Sequence, residues 1–316
     1  MKLYNLAVII PAYNERKSVA DVINAVPSKI SGIREKFIVV IDDGSTDNTR
    51  TILPKSIYLI KHIKNRGLGR SFDEGLKLAL ELNADIIVNI DADGQFNPRQ
   101  IEKLIKPILD GQADIVLGSR FIKISSYKTN FIKKYGNKLL ARLVSISTGQ
   151  RLYDVTCGFR AYSKEAALNL NIYDKFSYTL ESLIDLSHKD FKIQEVAVEI
   201  KERRYGKSKI TESIIHYIVK SIAILIRNLR DQRPFYFFVL PGIITLILSL
   251  AGFIFLLIRF IKFNVVSPYR AVLTFSISFF AISIFLFSFG LLFDHLNKIK
   301  KNEEDVLYYL KRNGKK

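Results

Sequence analysis

Cysteine occurs once in the 316 residues, at Cys157, so the chain can form no internal disulfide and carries no spaced set of thiol ligands for zinc. A reducing compartment is compatible with that count. No secretory leader is legible: the first apolar run, residues 6–10, is short and passes into Tyr13, Asn14, Glu15 and Arg16 without a small-residue cleavage site. The N-terminal domain is therefore expected to stay in the cytoplasm. Acidic residues are few, 30 against 48 Lys and Arg, which leaves a formal net charge of +18. Between residues 120 and 151 there is no Asp or Glu at all, against eight Lys or Arg. So basic a balance points to a polyanion nearby: nucleic acid, an anionic membrane surface or a phosphorylated ligand. Residues 201–234 hold nine basic and three acidic side chains and run directly into an apolar segment. Charge beside hydrocarbon favours the bilayer and speaks against nucleic acid.

Charge is missing altogether from 235–258 (24 residues) and 271–293 (23 residues). Each stretch is long enough to cross a hydrocarbon layer of about 30 Å as a helix rising about 1.5 Å per residue. Together they predict a transmembrane hairpin occupying 235–293. Arg227, Arg230 and Arg233 precede it and Lys298, Lys300 and Lys301 follow it, against Arg259, Lys262 and Arg270 in the connection, so both termini are expected on the cytoplasmic face. Upstream, in 211–234, Ile214, Ile215, Ile218, Val219, Ile222, Leu225, Ile226 and Leu229 recur at helical spacing while Lys220, Arg227 and Arg230 fall elsewhere around the helix. That pattern fits an amphipathic juxtamembrane helix lying in the interface, and its first turns fit equally well a helix packed on the soluble domain. Residues 294–316 read as a basic cytoplasmic tail.

The remaining part, residues 1–210, is apolar enough for one large core and alternates short β-rich runs with helical patterns. Strands are predicted at 6–10, 37–41, 57–60, 85–90 and 115–118, and helices at 18–25, 69–82 and 98–109. Such alternation predicts an α/β domain with a mainly parallel sheet, whose ligands sit beyond the C-terminal ends of the strands.

Three of those ends carry chemistry. The first strand runs into Pro11-Ala12-Tyr13-Asn14-Glu15, the second into Asp42-Asp43-Gly44-Ser45-Thr46-Asp47 and the fourth into Asp91-Ala92-Asp93-Gly94-Gln95. Carboxylates crowded at one rim repel one another unless a cation or hydrogen-bond donors compensate. Asp91, Asp93 and Gln95 are all oxygen ligands, which suits a hard divalent ion such as Mg²⁺ or Mn²⁺ bridging a diphosphate. An Asp-x-Asp turn alone is as well explained by turn formation and by Asp93 or Asn97 capping the helix that starts at Pro98. The two other acidic strand ends tip the balance toward the metal. Asp42 can accept hydrogen bonds from a base or ribose, Tyr13 offers a ring face and a hydroxyl, and part of 43–49 is expected to serve as a tight turn and cap. Gly67-Leu68-Gly69 lacks the third glycine of a dinucleotide fingerprint, Phe72 standing in its place, which excludes a Rossmann cofactor site.

Read in order, "VIIPAYNE", "VIDDGSTDNT", "NRGLG", "DADGQF", "GSRF", "DVTCGFRA" and "RRYGKSK" resemble glycosyltransferase family 2, in particular its dolichyl-phosphate mannose or glucose synthase branch. The resemblance covers roughly residues 6–210, and a C-terminal hairpin is the usual company of that branch. It implies a GT-A fold and inverting transfer of a hexose from GDP-mannose or UDP-glucose to a polyprenyl or dolichyl phosphate. Carried onto this chain, it places Pro11, Tyr13, Glu15 and Asp42 at the nucleoside. Asp91, Ala92 and Asp93 fall at the diphosphate, with Asp91, Asp93 and Gln95 on the metal and Arg120 near the transferred groups. Arg203 and Lys209 match the loop that closes over the donor phosphates, with Gly206 permitting its turn and Arg204 an alternative to Arg203. Asp93, Arg120 and Lys209 are thus the expected catalytic set. The family commonly has Leu where Gly94 stands and Pro where Thr46 stands, and some relatives carry two hairpins.

On the acceptor side, a lipid monophosphate is already largely anionic at neutral pH, with a second pKa of about 6, and needs no strong base to attack. What must be overcome is repulsion between two phosphates, a task suited to Arg120, Lys133, Lys134 and Lys209. The lysine pair fits a solvated basic helix face equally well. Asp154 and Arg160 match a family motif near the acceptor and equally suit a structural pair. Two rivals stay open: a transferase acting on a sugar hydroxyl, with Glu181 or Asp154 as base, and a non-catalytic membrane scaffold or nucleic-acid-binding module. The expected partners are a nucleotide sugar, a polyprenyl phosphate and the bilayer, with no nucleic acid; a homo-oligomer is left open.

Overall fold

A computed structural model describes residues 3–122, 131–172, 178–201, 222–224, 226–227, 230–231, 234–265 and 267–314, with 131–134 as backbone only. The chain forms two compact units, Met1–Leu225 with Val306–Lys316, and Ile226–Asp305.

Among the described residues, the first unit is built on seven strands: β1 (Tyr4–Ala12), β2 (Ile33–Asp42), β3 (Tyr58–Lys61), β4 (Ile86–Asn89), β5 (Ile115–Ser119), β6 (Arg160–Ser163) and β7 (Ile193–Ala197). Their order in the sheet is β3-β2-β1-β4-β6-β5-β7, and β6 is antiparallel to both its neighbours while every other pairing is parallel. A sheet covered on both faces needs apolar side chains on both, which is why β1 reads as an unbroken run rather than an alternation. Ala7, Ile9, Val39, Ile41 and Ile87 face one core, shared with α2 (Leu68–Glu81), α4 (Phe131–Thr148) and α6 (Tyr178–His188). Leu6, Val8, Ile10, Val40 and Val88 face the other, shared with α1 (Val19–Ala25) and α3 (Ile101–Leu109).

The five predicted strands and three predicted helices are present, with ends moved by a few residues, the last helix beginning as a single 3₁₀ turn at Pro98–Gln100. The parallel register pairs Ala12 with Asp42 and Ile9 with Asn89, so the ends of β1, β2 and β4 meet at one rim. β5 runs in the same direction as β4, both being antiparallel to β6, and brings Arg120 to that rim as well.

In the second unit, α7 (Pro234–Phe263) and α8 (Arg270–Arg312) are each long and apolar enough to cross a membrane. Gly242, Ser249 and Leu256 on α7, and Ser276, Ser283 and Gly290 on α8, are buried at every seventh position. Small residues let the two backbones approach, and the Ser249 hydroxyl donates to the Ser276 carbonyl at 2.7 Å. Most of the remaining surface of both helices is exposed Leu, Ile and Phe. The segment expected as a separate tail is helical to Arg312, and its end belongs to the first unit. There Lys311 Nζ donates to the Leu170 carbonyl at 2.8 Å and to Asn171 Oδ1 at 2.9 Å, beyond α5 (Lys164–Asn169). The Tyr308 hydroxyl reaches Glu165 at 3.0 Å. The expected juxtamembrane helix lies largely outside the described residues; 222–224, 226–227 and 230–231 are helical.

Candidate active site

The turns after β1 and β2 are stitched together by the polar residues of their motifs. Asn14 N–H donates to Ser45 Oγ at 2.9 Å, Glu15 N–H to Thr49 Oγ1 at 3.0 Å and Arg16 N–H to Asp47 Oδ2 at 3.1 Å, while Thr46 N–H returns to Asn14 Oδ1 at 2.7 Å. Burial raises the Asp47 pKa, but hydrogen bonds from Thr49 and Arg16 outweigh it and hold the carboxyl below its usual range. Much of the "DGSTDNT" run is therefore turn architecture, as expected. Gly44 combines a φ of +75° with a backbone approach so close that a Cβ would stand 2.5 Å from the Lys64 carbonyl carbon. The Ser18 hydroxyl, at the start of the following helix, donates to Glu15 Oε2 at 3.0 Å, and Pro11 lies buried in β1.

Asp42 is fully buried at the end of β2, its Oδ1 accepting from Ser45 N–H at 3.1 Å and its Oδ2 from Arg50 Nε. Arg50, which sequence reasoning missed, is therefore the ion-pair partner of the residue expected to meet the nucleoside. The signal for it was an arginine one turn beyond an acidic strand end. Tyr13, another expected nucleoside contact, is half-buried in the turn after β1.

At the end of β4, Asp93 Oδ1 accepts from Gln95 N–H at 3.0 Å, closing a tight turn over Gly94 (φ +72°). The helix cap falls to Asn97, which accepts from Arg99 N–H at 3.1 Å, so Asp93 is not spent on capping. Gln95 O accepts from Lys201 N–H at 2.8 Å, tying this turn to a residue two positions before the "RRYGKSK" segment. Gly158 lies against Asp91: a Cβ there would stand 2.8 Å from both carboxylate oxygens. The Gly158 carbonyl is fixed by Asn89 Nδ2 at 2.8 Å and by the Tyr178 hydroxyl at 3.0 Å. Burial first, and then the Asp91 charge, push the Tyr178 hydroxyl well above its ordinary pKa.

Arg120 and Asp154, expected on the two sides of the reaction, form one pair. Arg120 Nε meets Asp154 Oδ2 at 2.5 Å and Nη2 meets Oδ1 at 2.7 Å, while the Arg120 N–H adds a third bond at 3.1 Å. Asp154 is fully buried, so its place is beneath Arg120 rather than against an acceptor. Arg160 is also fully buried on β6, donating to the carbonyls of Cys157, Thr179 and Val155 at 2.6 to 2.8 Å. It pins the segment 155–159 from inside the core. Glu181 sits half-buried in the first turn of α6. Arg203, Arg204, Gly206 and Lys209 lie outside the described residues, as do the side chains of Lys133 and Lys134.

The donor set offered to a metal is all oxygen, as Mg²⁺ and Mn²⁺ prefer. Among the described residues no three His, Cys, Asp or Glu side chains gather at ligand spacing. Asp91 and Asp93, with the Gln95 amide, thus suit an ion whose remaining ligands come from a bound diphosphate.

A profile described as Glycosyl transferase family 2 matches residues 7–170. The UDP-N-acetylglucosamine--dolichyl-phosphate N-acetylglucosaminyltransferase of Methanococcus voltae is 32% identical over 66% of this chain and 90% of its own. The polyprenol monophosphomannose synthase of Mycolicibacterium smegmatis is 27% identical, over 68% and 84%. Among solved structures, glucosyl-3-phosphoglycerate synthase from Mycobacterium tuberculosis, in complex with Mn²⁺, UDP and glucosyl-3-phosphoglycerate, aligns with a TM-score of 0.57 at 19% identity. That alignment covers 71% of this chain and 80% of the other, and establishes likeness of fold.

Proposed function

Since the chain belongs to glycosyltransferase family 2, we propose that it transfers a hexose, with inversion, from a nucleotide sugar to a polyprenyl or dolichyl phosphate at the cytoplasmic face of a membrane. The observation that carries this reading is the segment 154–158, whose ends hold the two halves of the site: Asp154 grips Arg120 and Gly158 abuts Asp91. A cation and a carboxylate turn set side by side at the strand ends suit a diphosphate leaving group and an anionic acceptor. Relatives named for polyprenyl- and dolichyl-phosphate acceptors, together with two helices able to span a bilayer, support the lipid acceptor.

Asp91, Asp93 and Gln95 would hold Mg²⁺ or Mn²⁺, which when bound neutralises the departing nucleoside diphosphate. Asp42 and Arg50, with Tyr13 beside them, bind the nucleoside. Arg120, held rigid by Asp154, faces the transferred groups, and Arg203 and Lys209 of the "RRYGKSK" segment close on the phosphates. Lys133 and Lys134 add positive charge for the acceptor. For a hydroxyl acceptor, Asp154 is already committed to Arg120, which leaves Glu181 as the remaining base.

The test is transfer of radiolabelled sugar from GDP-mannose, UDP-glucose and UDP-N-acetylglucosamine to dolichyl phosphate in detergent with Mg²⁺ or Mn²⁺. Lipid-soluble product from one donor, abolished by chelator and by Asp93→Ala, is expected. Nucleotide binding without any lipid product would sink the acceptor assignment.

A further inference from the structure

Behind the nucleoside position lies an imidazole that the reaction as described does not use. His62, the residue after β3, is 4% exposed, and each ring nitrogen faces a carboxylate: Nδ1 lies 2.6 Å from Asp43 Oδ1 and Nε2 lies 2.8 Å from Glu74 Oε2. The ring therefore spans the two carboxylates, one at hydrogen-bond distance from each nitrogen. Both anions are further held. Asp43 accepts from the N–H groups of Arg66 at 2.7 Å and Gly67 at 3.0 Å, and Glu74 from Arg66 Nη1 at 2.8 Å and Arg70 Nε at 2.7 Å. Burial raises the Glu74 pKa, yet its bonds to His62 and Arg70 prevail and keep it below the usual range.

This bridge joins three elements at their ends. Asp43 belongs to the turn after β2, His62 follows β3, and Glu74 lies in the second turn of α2. The His62 backbone N–H also donates to the Asp42 carbonyl at 2.9 Å, and the His62 carbonyl accepts from Arg50 Nη2 at 3.4 Å. Both partners at the nucleoside position, Asp42 and Arg50, are therefore tied to this one residue.

We propose that His62 is a positioning residue of the donor site: by spanning Asp43 and Glu74 it fixes the β2 end, so that Asp42 and Arg50 stand ready for the nucleoside. The inference rests on the transferase reading above and assigns to that site a support three residues deep. Its geometry predicts which replacements are tolerated. Glu74→Gln keeps the shape, because a side-chain amide of the same length can either donate to or accept from the facing ring nitrogen. Glu74→Ala and His62→Gln break the span.

The experiment measures calorimetric binding of UDP and GDP, with Mn²⁺, to the full chain in detergent, together with the steady-state constants for donor and dolichyl phosphate. His62→Gln and Glu74→Ala are expected to weaken the bound nucleotide about tenfold, or about 1.4 kcal/mol, and to raise the donor KM. The kcat at saturating donor and the KM for dolichyl phosphate should hold, and Glu74→Gln should bind within about twofold of the parent. Should His62→Gln fail to fold, Glu74→Ala, whose parent side chain is partly exposed, carries the same test. A parent protein that binds one nucleotide while Glu74→Ala or a folded His62→Gln binds it equally well overturns the positioning role alone. A parent protein that binds neither nucleotide overturns the transferase reading and this inference with it.

Discussion

Asp154 holds Arg120 with both carboxylate oxygens, at 2.5 and 2.7 Å, from a position with no solvent exposure. The guanidinium is partly exposed, so the pair has a buried anchor and an accessible working face. Thr156 and Asn137 extend the anchor, Arg120 Nη2 donating to Thr156 Oγ1 at 2.7 Å and Thr156 Oγ1 to Asn137 Oδ1 at 3.0 Å.

Removing one partner of such a pair leaves the other without compensation. Asp154→Ala is expected to cost about 3 kcal/mol of stability, seen as a lowered thermal midpoint. Arg120→Lys keeps the charge but loses the two-point grip, so transfer should fall with a smaller loss of stability.

Gly158→Ala separates site geometry from folding. The added methyl meets the Asp91 carboxylate rather than backbone, so the side chain is expected to shift while the backbone keeps its path. Transfer is expected to fall about a hundredfold, the scale on which a displaced catalytic group acts. The thermal midpoint should move little, and circular dichroism beside the sugar-transfer assay reads both.

The single thiol provides a check on the core beneath the site. Burial, then the Asp154 charge, push Cys157 up to about 12, so it stays protonated and shielded at neutral pH. Ellman's reagent should find no reactive thiol in the folded protein and one equivalent after denaturation.

The sequence made the acidic rim legible because each long apolar run ends abruptly in a carboxylate cluster, and parallel strands carry such ends to one side. β6 escaped notice because four residues, "RAYS", begin with an arginine and show no alternation. Its antiparallel insertion separates β4 from β5, which adjacency in sequence would have paired. For Arg160 the motif match leaves an acceptor contact and a structural role equally open, because nothing in the sequence announces that its N–H groups go to carbonyls folded over it. The tail read as a separate element because its composition changes at Asp294. The helix nevertheless continues, supported by the i,i+4 pair of Lys298 with Asp294 at 3.0 Å.

Lys311 gives a pH dependence with a definite sign. Burial is the largest cause lowering its pKa from 10.5 to about 8, so the docked end of α8 binds fewer protons than the released end between those values. Docking therefore carries a penalty below about pH 8 that disappears as pH rises through that window. Hydrogen exchange of residues 306–312, corrected for intrinsic rate, should show more protection at about pH 9.5 than at about pH 7. Lys311→Met should remove the difference.

The catalytic unit is discontinuous, since Val306–Lys316 completes what Met1–Leu225 begins. A ribosome must therefore make all of Ile226–Asp305, both apolar helices included, before the last piece of that unit emerges. Assembly of the soluble fold and insertion of the hairpin become steps in one sequence of events, with the closing turn of α8 docking only on a chain whose hairpin has already been synthesised.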